Sequence, residues 1–454
     1  MKTKEELLGT EQISKLMWTM AVPSIIAQLI NILYSIIDRI YIGHIPNIGT
    51  NALTGIGLTF PIITLISAFS AFVGNGGAPL SSIALGKGDR KRAEKILGNG
   101  VFLLFVFTAL LMAFFYAFQV PLLYAFGASD ATITYASSYV SIYLIGTIFV
   151  ELSLGLNTYI IAQGQSAVAM ASILIGAIIN LILDPVFIFG LHMDVRGAAV
   201  ATVISQACSA VWVVAFLVGK KSTLKIKLEC MKPDAKIIAS IFALGISPFV
   251  MRATESLISI VLNRGLQKYG GDLYVGTLTV MQSVMQLLSA PLAGFTAGVQ
   301  PIISYNYGAG KYDRVRKTYK QMIWICFGIS FVVTASTILV PDMYARMFTK
   351  EMALITLVHQ KMPVFMFGML FFGLQMGIQP TFLALGQAKL SLLIAMLRKV
   401  ILLVPLAIIL PYWLGVDGVF IAEPVSDIIS VLVAGGLFLG NIGKILDEKK
   451  LKTE

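Results

Sequence analysis

The sequence predicts an all-α integral membrane protein with twelve transmembrane helices, arranged as two pseudo-twofold-related six-helix bundles. Three observations carry that reading. Apolar runs of about 20 residues recur along the whole 454-residue chain, and each is long enough to cross the ~30 Å hydrocarbon core as a helix. Hydrophobic residues make up 57% of the chain and charged residues 13%, with a mean hydropathy of +0.85. The second half of the chain repeats marker residues of the first at an offset near 222.

The first six spans are expected near 15–40, 52–76, 96–118, 133–158, 166–190 and 197–218. The second six are expected near 237–262, 275–300, 319–340, 355–380, 388–410 and 417–439. The start, MKTKEELLGTEQISK, is expected to lead straight into an uncleaved first span. The repeat runs through both sets. Pro79 precedes Gly86 by seven residues, as Pro301 precedes Gly308. Pro23 precedes Asp38-Arg39 by fifteen, as Pro248 precedes Asn263-Arg264. Gly164-Gln165 matches Gly386-Gln387, Gly197 matches Gly418, and Ser205-Gln206 matches Ser426-Asp427. An even number of spans per copy keeps both copies in one orientation, so the halves are parallel repeats about an axis along the membrane normal. The expected organisation is an N-lobe at 1–218, a cytoplasmic linker at 219–236, and a C-lobe with a cytoplasmic tail at 237–454.

Lys and Arg fix the orientation. Of the 34 in the chain, 24 fall in the two tails and in the loops on the side of the termini; six fall on the other side. Both termini are therefore expected in the cytoplasm of a bacterial cell, with the chain in its inner or plasma membrane. The same asymmetry accounts for the net charge of +11 without a nucleic-acid partner. The expected partners are the lipid bilayer and small molecules, and the chain is expected to act as a monomer. Cys208, Cys230 and Cys326 have no metal or redox spacing, and no Walker loop, GxSxG or HExxH occurs. No enzyme activity and no cofactor are expected.

Acidic residues inside the spans are the informative ones, because a carboxylate in hydrocarbon costs roughly 2.5–3.5 kcal/mol on insertion scales. Asp38 and Asp184 each lie near the outer end of a long apolar segment. Asn180 lies four residues before Asp184, on the same helix face. Pro185 removes the hydrogen bond to the Leu181 carbonyl. Side-chain oxygens and a freed carbonyl at one depth suit a cation or a proton. The alternative for Asp38 is an ion pair with Arg39, and for Asp184 a structural polar kink.

Four segments, VPSIIAQLINILYSIIDRIYIG, INLILDPVFIFG, VRGAAVATVISQ and QPIISYNYGAGKYDR, together with the six-plus-six arrangement, resemble the multidrug and toxic compound extrusion (MATE) family over nearly the whole chain. The resemblance implies a secondary antiporter that exports amphipathic or cationic organic compounds in exchange for Na⁺ or H⁺. It also implies a cation site in the N-lobe formed by Asp38, Asn180, Asp184 and Thr202. The Ala198 carbonyl lies one turn before Thr202. Tyr34 and Asn31 share the Asp38 face and are expected to line the same cavity; an interfacial belt position is the alternative for Tyr34.

The second half departs from the family. Glu255 is seven residues after Pro248, where some members carry an acid at eight, and Ser256 holds that place. Glu255 is either a substrate-facing carboxylate or the partner of Arg252. Glu151, Arg398, Lys399 and Glu423 remain open in the same way. Gln282 and Met281 are candidate cavity residues, since methionine repacks easily, with ordinary packing as the alternative. The competing function is a lipid-linked oligosaccharide flippase, which needs a cluster of free cations for pyrophosphate.

Overall fold

The computed structural model describes residues 4–46, 48–348 and 350–450. Among them every regular element is helical. Hydrocarbon offers no water to exposed backbone groups, so a spanning segment must satisfy them internally. The first half contains α1 (Lys4–Thr10), α2 (Ile13–Gly43), α3 (Gly49–Gly86), α4 (Arg90–Ala125), α5 (Ile133–Ile145), α6 (Thr147–Ala162), α7 (Ser166–Pro185) and α8 (Asp194–Val218). The second contains α9 (Ala235–Gly270), α10 (Asp272–Gly308), α11 (Tyr312–Leu339), α12 (Pro341–Arg346), α13 (Met352–Met366) and α14 (Met369–Ala384). It continues with α15 (Ala388–Met396), a π segment (Leu397–Leu403), α16 (Val404–Ile409), α17 (Pro411–Leu414) and α18 (Val416–Lys450).

Among the described residues, ten helical stretches are long and apolar enough to cross a membrane, or up to 12 when each bent pair counts as one span. The bent pairs are α5–α6, at 59°, and α13–α14, at 44°. The breaks fall at Gly146 and Gly368, which are 222 residues apart. Left-handed turns repeat at the same offset. Gly88 and Gly310 have φ of 76° and 72°; Gly164 and Gly386 have 83° and 73°. Only glycine enters that region without steric cost, which is why these positions mark the repeat in the sequence.

The chain forms two compact units, Met1–Leu8 with Ile26–Phe249, and Gly9–Ile25 with Val250–Glu454. The first therefore includes the beginning of α9. A Cβ on Gly76 would collide with the Ile241 carbonyl, and one on Gly245 with the Phe72 carbonyl, so α3 and α9 touch backbone to backbone. Phe72 also meets Phe242 and Phe249 at centroid distances of 4.8 and 5.6 Å. The second unit likewise holds the beginning of α2. Trp18 packs on Phe295 at 5.5 Å, Lys311 Nζ donates to the Gly9 carbonyl at 2.8 Å, and Arg314 Nη2 donates to the Glu11 carbonyl at 2.8 Å. Large apolar side chains such as Leu432, Val332 and Leu339 are outside, 68–78% exposed, as expected where lipid replaces water as the solvent.

Polar side chains tie the segment between α8 and α9 to the first unit. Asn99 Nδ2 donates to the Cys230 and Lys232 carbonyls at 3.4 and 3.3 Å, and its Oδ1 accepts from Asp234 N at 2.8 Å. Gln163 Oε1 accepts from Thr223 N at 2.7 Å, Leu224 N at 3.2 Å and Ser222 Oγ at 3.1 Å. Lys227 pairs with Glu94 at 2.6 Å, and hydrogen bonding to that carboxylate raises the lysine above its usual range.

The second unit contains an ionic network that is buried around Arg398 and exposed at Glu255. Arg398 Nε donates to Asp427 Oδ1 at 2.5 Å and Nη2 to Glu423 Oε1 at 3.1 Å. Its guanidinium lies 4.3 Å from the Phe372 ring centroid. Lys399 Nζ donates to Glu255 Oε1 at 2.5 Å and to the Met251 carbonyl at 2.9 Å. The π segment carries both cations, and its wider turn sends the adjacent residues Arg398 and Lys399 to different partners.

Two stability outcomes follow. Asn99→Ala strands two carbonyls and one N–H, each costing roughly 1–3 kcal/mol when buried. A lower melting midpoint and faster tryptic cleavage at Lys220 are expected, and unchanged cleavage would count against the anchoring role. Arg398→Met leaves Glu423 and Asp427 without a cation and is expected to cost roughly 3–5 kcal/mol. Restoring much of that loss by adding Glu423→Leu and Asp427→Leu, measured by thermal denaturation, would identify the cost as unpaired charge.

Candidate functional site

The candidate site lies within the first unit, where α2, α7, α8 and α5 supply its side chains. α7 is helical through Pro185 and continues as a π turn, Val186–Gly190. Its Asn180 and Asp184 are one turn apart, and Asn180 Nδ2 donates to Asp184 Oδ1 at 3.1 Å. Both residues are buried, at 3% and 1% exposure. From α2, the Asp38 carboxyl comes within hydrogen-bonding reach of the Asp184 carboxyl. Asp38 Oδ1 and Asp184 Oδ2 are both buried without a partner. The Arg39 guanidinium points elsewhere, 4.8 Å from the Phe60 ring centroid, so the adjacent ion pair does not form.

Thr202 joins this group at one remove. Its hydroxyl donates to the Ala198 carbonyl at 2.9 Å and also meets the Tyr139 hydroxyl. Tyr139, on α5, is 4% exposed and within electrostatic reach of Asp38. Sequence reasoning missed Tyr139; its one available signal was a tyrosine pair at i,i+4 with Tyr143, in a span that also carries Thr134, Tyr135, Ser137, Ser138 and Ser141. The two rings stack at 6.2 Å. Half-buried Tyr34 lies within electrostatic reach of both Asp38 and Asp184, whereas Asn31 is exposed.

The other candidates belong to the second unit. Met281 is fully buried in its apolar core, together with Leu278, Val284 and Phe420. Gln282 is half-buried. Glu255 pairs with Lys399 at 2.5 Å, and Arg252 is not within ion-pair distance of it. Asp427, which the sequence reading treated only as a repeat marker, is an acid of the Arg398 network.

Two carboxyls in contact in a medium of low dielectric cannot both stay charged unless a cation sits between them; otherwise they share a proton. The residues at the pair fit either ligand. The two unpartnered carboxyl oxygens would face a bound Na⁺, with Asn180 beside them to complete an oxygen set. Among the described residues no group of three or more His, Cys, Asp or Glu is placed to hold a metal ion.

Comparison with known proteins matches the MatE family to residues 23–186 and 248–409. The chain is 27% identical over 440 residues to the multidrug export protein MepA of Staphylococcus haemolyticus (strain JCSC1435), covering 95% of this chain and 96% of that one. It is 24% identical over 421 residues to MepA of Staphylococcus aureus (strain NCTC 8325 / PS 47), covering 92% of each. Its fold resembles a solved structure of MATE in the bent conformation, with a TM-score of 0.91, 22% identity and full coverage of both chains. It also resembles an outward-facing multidrug resistance MATE family transporter of the MOP superfamily, with a TM-score of 0.90, 22% identity, and coverage of 98% of this chain and 99% of that one. With both repeats matched by one family, this chain belongs to the MatE family of membrane transporters.

Proposed function

We propose that the chain is a secondary active multidrug exporter, releasing amphipathic or cationic organic compounds in exchange for H⁺ or Na⁺ by alternating access. The carrying observation is the approach of half-buried Asp38 to buried Asp184, with no basic side chain in an ion pair with either. A site of that kind needs an exchangeable positive ligand to be stable, which is the requirement for a coupling site. Asn180 holds Asp184 in orientation, while Thr202 and Tyr139 border the Asp38 side. Direct approach of the two carboxyls, with the Thr202 hydroxyl engaged elsewhere, favours H⁺; the oxygens of Asp38, Asn180, Asp184 and Thr202 make Na⁺ the alternative. Occupancy of the pair and of the drug site then bias one conformational equilibrium, so the ligands are coupled without touching.

Multidrug export in the MepA proteins supports the substrate class, and the Lys/Arg asymmetry supports cytoplasmic termini in a bacterial plasma membrane. The chain works as a monomer. Pairing of Arg398 and Lys399 with acids of their own unit weighs against a lipid-pyrophosphate flippase, since neither cation is left free for a phosphate.

The test is uptake of a cationic dye by proteoliposomes containing the full chain, under separate Na⁺ and H⁺ gradients. Asp184→Asn and Asp38→Asn are expected to lower gradient-driven transport roughly 5–150-fold, the range of a 1–3 kcal/mol coupling energy. Normal transport by Asp184→Asn would remove the proposed site. Failure of the parent to move dye under either gradient would remove the function.

A further inference from the structure

A second acid of the first unit, Glu151, has no part in the site described above. It sits on α6, one turn after the helix break at Gly146, and is 0% exposed. Among the described residues neither Oε1 nor Oε2 has a hydrogen-bond partner. Ser70, on α3, faces it but lies outside hydrogen-bond geometry; that residue is 1% exposed and its Oγ is also unpartnered. Thr147, one turn earlier on the Glu151 face, has a third buried hydroxyl without a partner.

The polar residues that hold this fold together look different. Asn99 and Gln163 are each bonded several times, and Glu423 faces a guanidinium. A carboxylate buried among apolar side chains, with only the Ser70 hydroxyl facing it and no cation, is an expensive state for Glu151. Binding a proton removes the charge and supplies a donor for Ser70. We infer that Glu151 is a second proton-binding carboxyl of the first unit, linked to the Asp38–Asp184 pair through Tyr143 and Tyr34.

The surroundings support the assignment. Of the helices packed on α6, α3 has no ionisable side chain at all. The charged residues of α4 are confined to its first turns, Arg90–Lys95. On α8 they are Asp194 and Arg196 at its start, with Cys208 further along, and α7 contributes Asp184. None of these groups acts on Glu151. From α5, Tyr143 is within electrostatic reach of Glu151 on one side and Tyr34 on the other. Tyr34 in turn is within reach of Asp38 and Asp184. Asp184 does not act on Glu151 directly, so any influence of one site on the other would pass through these two tyrosines. The role in transport rests on the ion-coupled reading above; the protonation itself does not.

Infrared spectra of the full chain in detergent decide the protonation. The expected result is the carbonyl stretch of a protonated carboxyl in the parent, partly lost in Glu151→Gln and returning at a shifted position in Glu151→Asp. A folded Glu151→Gln with the parent's full band overturns the inference. Should Glu151→Gln fail to fold, an unmoved band in Glu151→Asp overturns it equally. The same samples are then titrated with tetraphenylphosphonium in weak buffer and the released protons are counted. Glu151→Gln is expected to bind the cation and to release fewer protons than the parent; equal release overturns the link to the acid pair. Binding without any proton release in the parent defeats proton coupling itself, and leaves the infrared result to decide Glu151.

Discussion

Hydrocarbon tolerates a carboxyl group only with a counter-charge or with a proton. The two units meet that constraint in opposite ways. In the second, Glu423 and Asp427 face Arg398, a cation carried by the chain and always present. In the first, Asp38, Asp184 and Glu151 have no such cation. The repeat makes the contrast sharper, because Glu423 lies 221 residues after Thr202, the same offset that relates Gly197 to Gly418. Where one copy has a hydroxyl, the other has an acid and an arginine to neutralise it. One copy carries its own counter-charge, and the proposed role of the other is to take a positive species from solvent.

The helix interruptions serve this arrangement. Pro185 ends α7 one residue after Asp184, and the π turn beyond it widens the helix at the depth of the acid pair. The break at Gly146 turns α5 away from α6 by 59°. Tyr139 can then face Asp38 while Tyr143 lies between Tyr34 and Glu151.

Much of this was legible in the sequence, and the legible part has a common character. Spans, repeat and the Asn180–Asp184 turn are local or periodic, and periodicity survives folding unchanged. Gly164 and Gly386 announced their turns because no other residue enters that backbone region freely. Asp38 meeting Asp184 is a contact over about 146 residues, visible only through family resemblance and a matching of depths. Tyr139 was hidden because its direction depends on how far the helix rotates at the break. Glu255 had Arg252 three residues away as the obvious partner, yet Lys399, from a π segment that no residue pattern signals, took that place. The orphaned state of Glu151 is an absence of partners, and a sequence does not display absences.

Exchange of helix beginnings has a consequence for biosynthesis. Gly9–Ile25 belongs with residues from Val250 onward, and the start of α9 belongs with the unit that precedes it. When Trp18 leaves the ribosome, Phe295, its packing partner, is still some 277 residues from being made. Likewise Gly76 waits for Gly245. The early segments must therefore be kept apart from wrong neighbours by the insertion machinery until late ones arrive. Neither unit can finish from its own contiguous stretch of chain. A chain severed between α8 and α9 would have to be rejoined by association within the bilayer, and a ribosome that stalls there would leave the first bundle without the beginning of α9 and the second represented by Gly9–Ile25 alone.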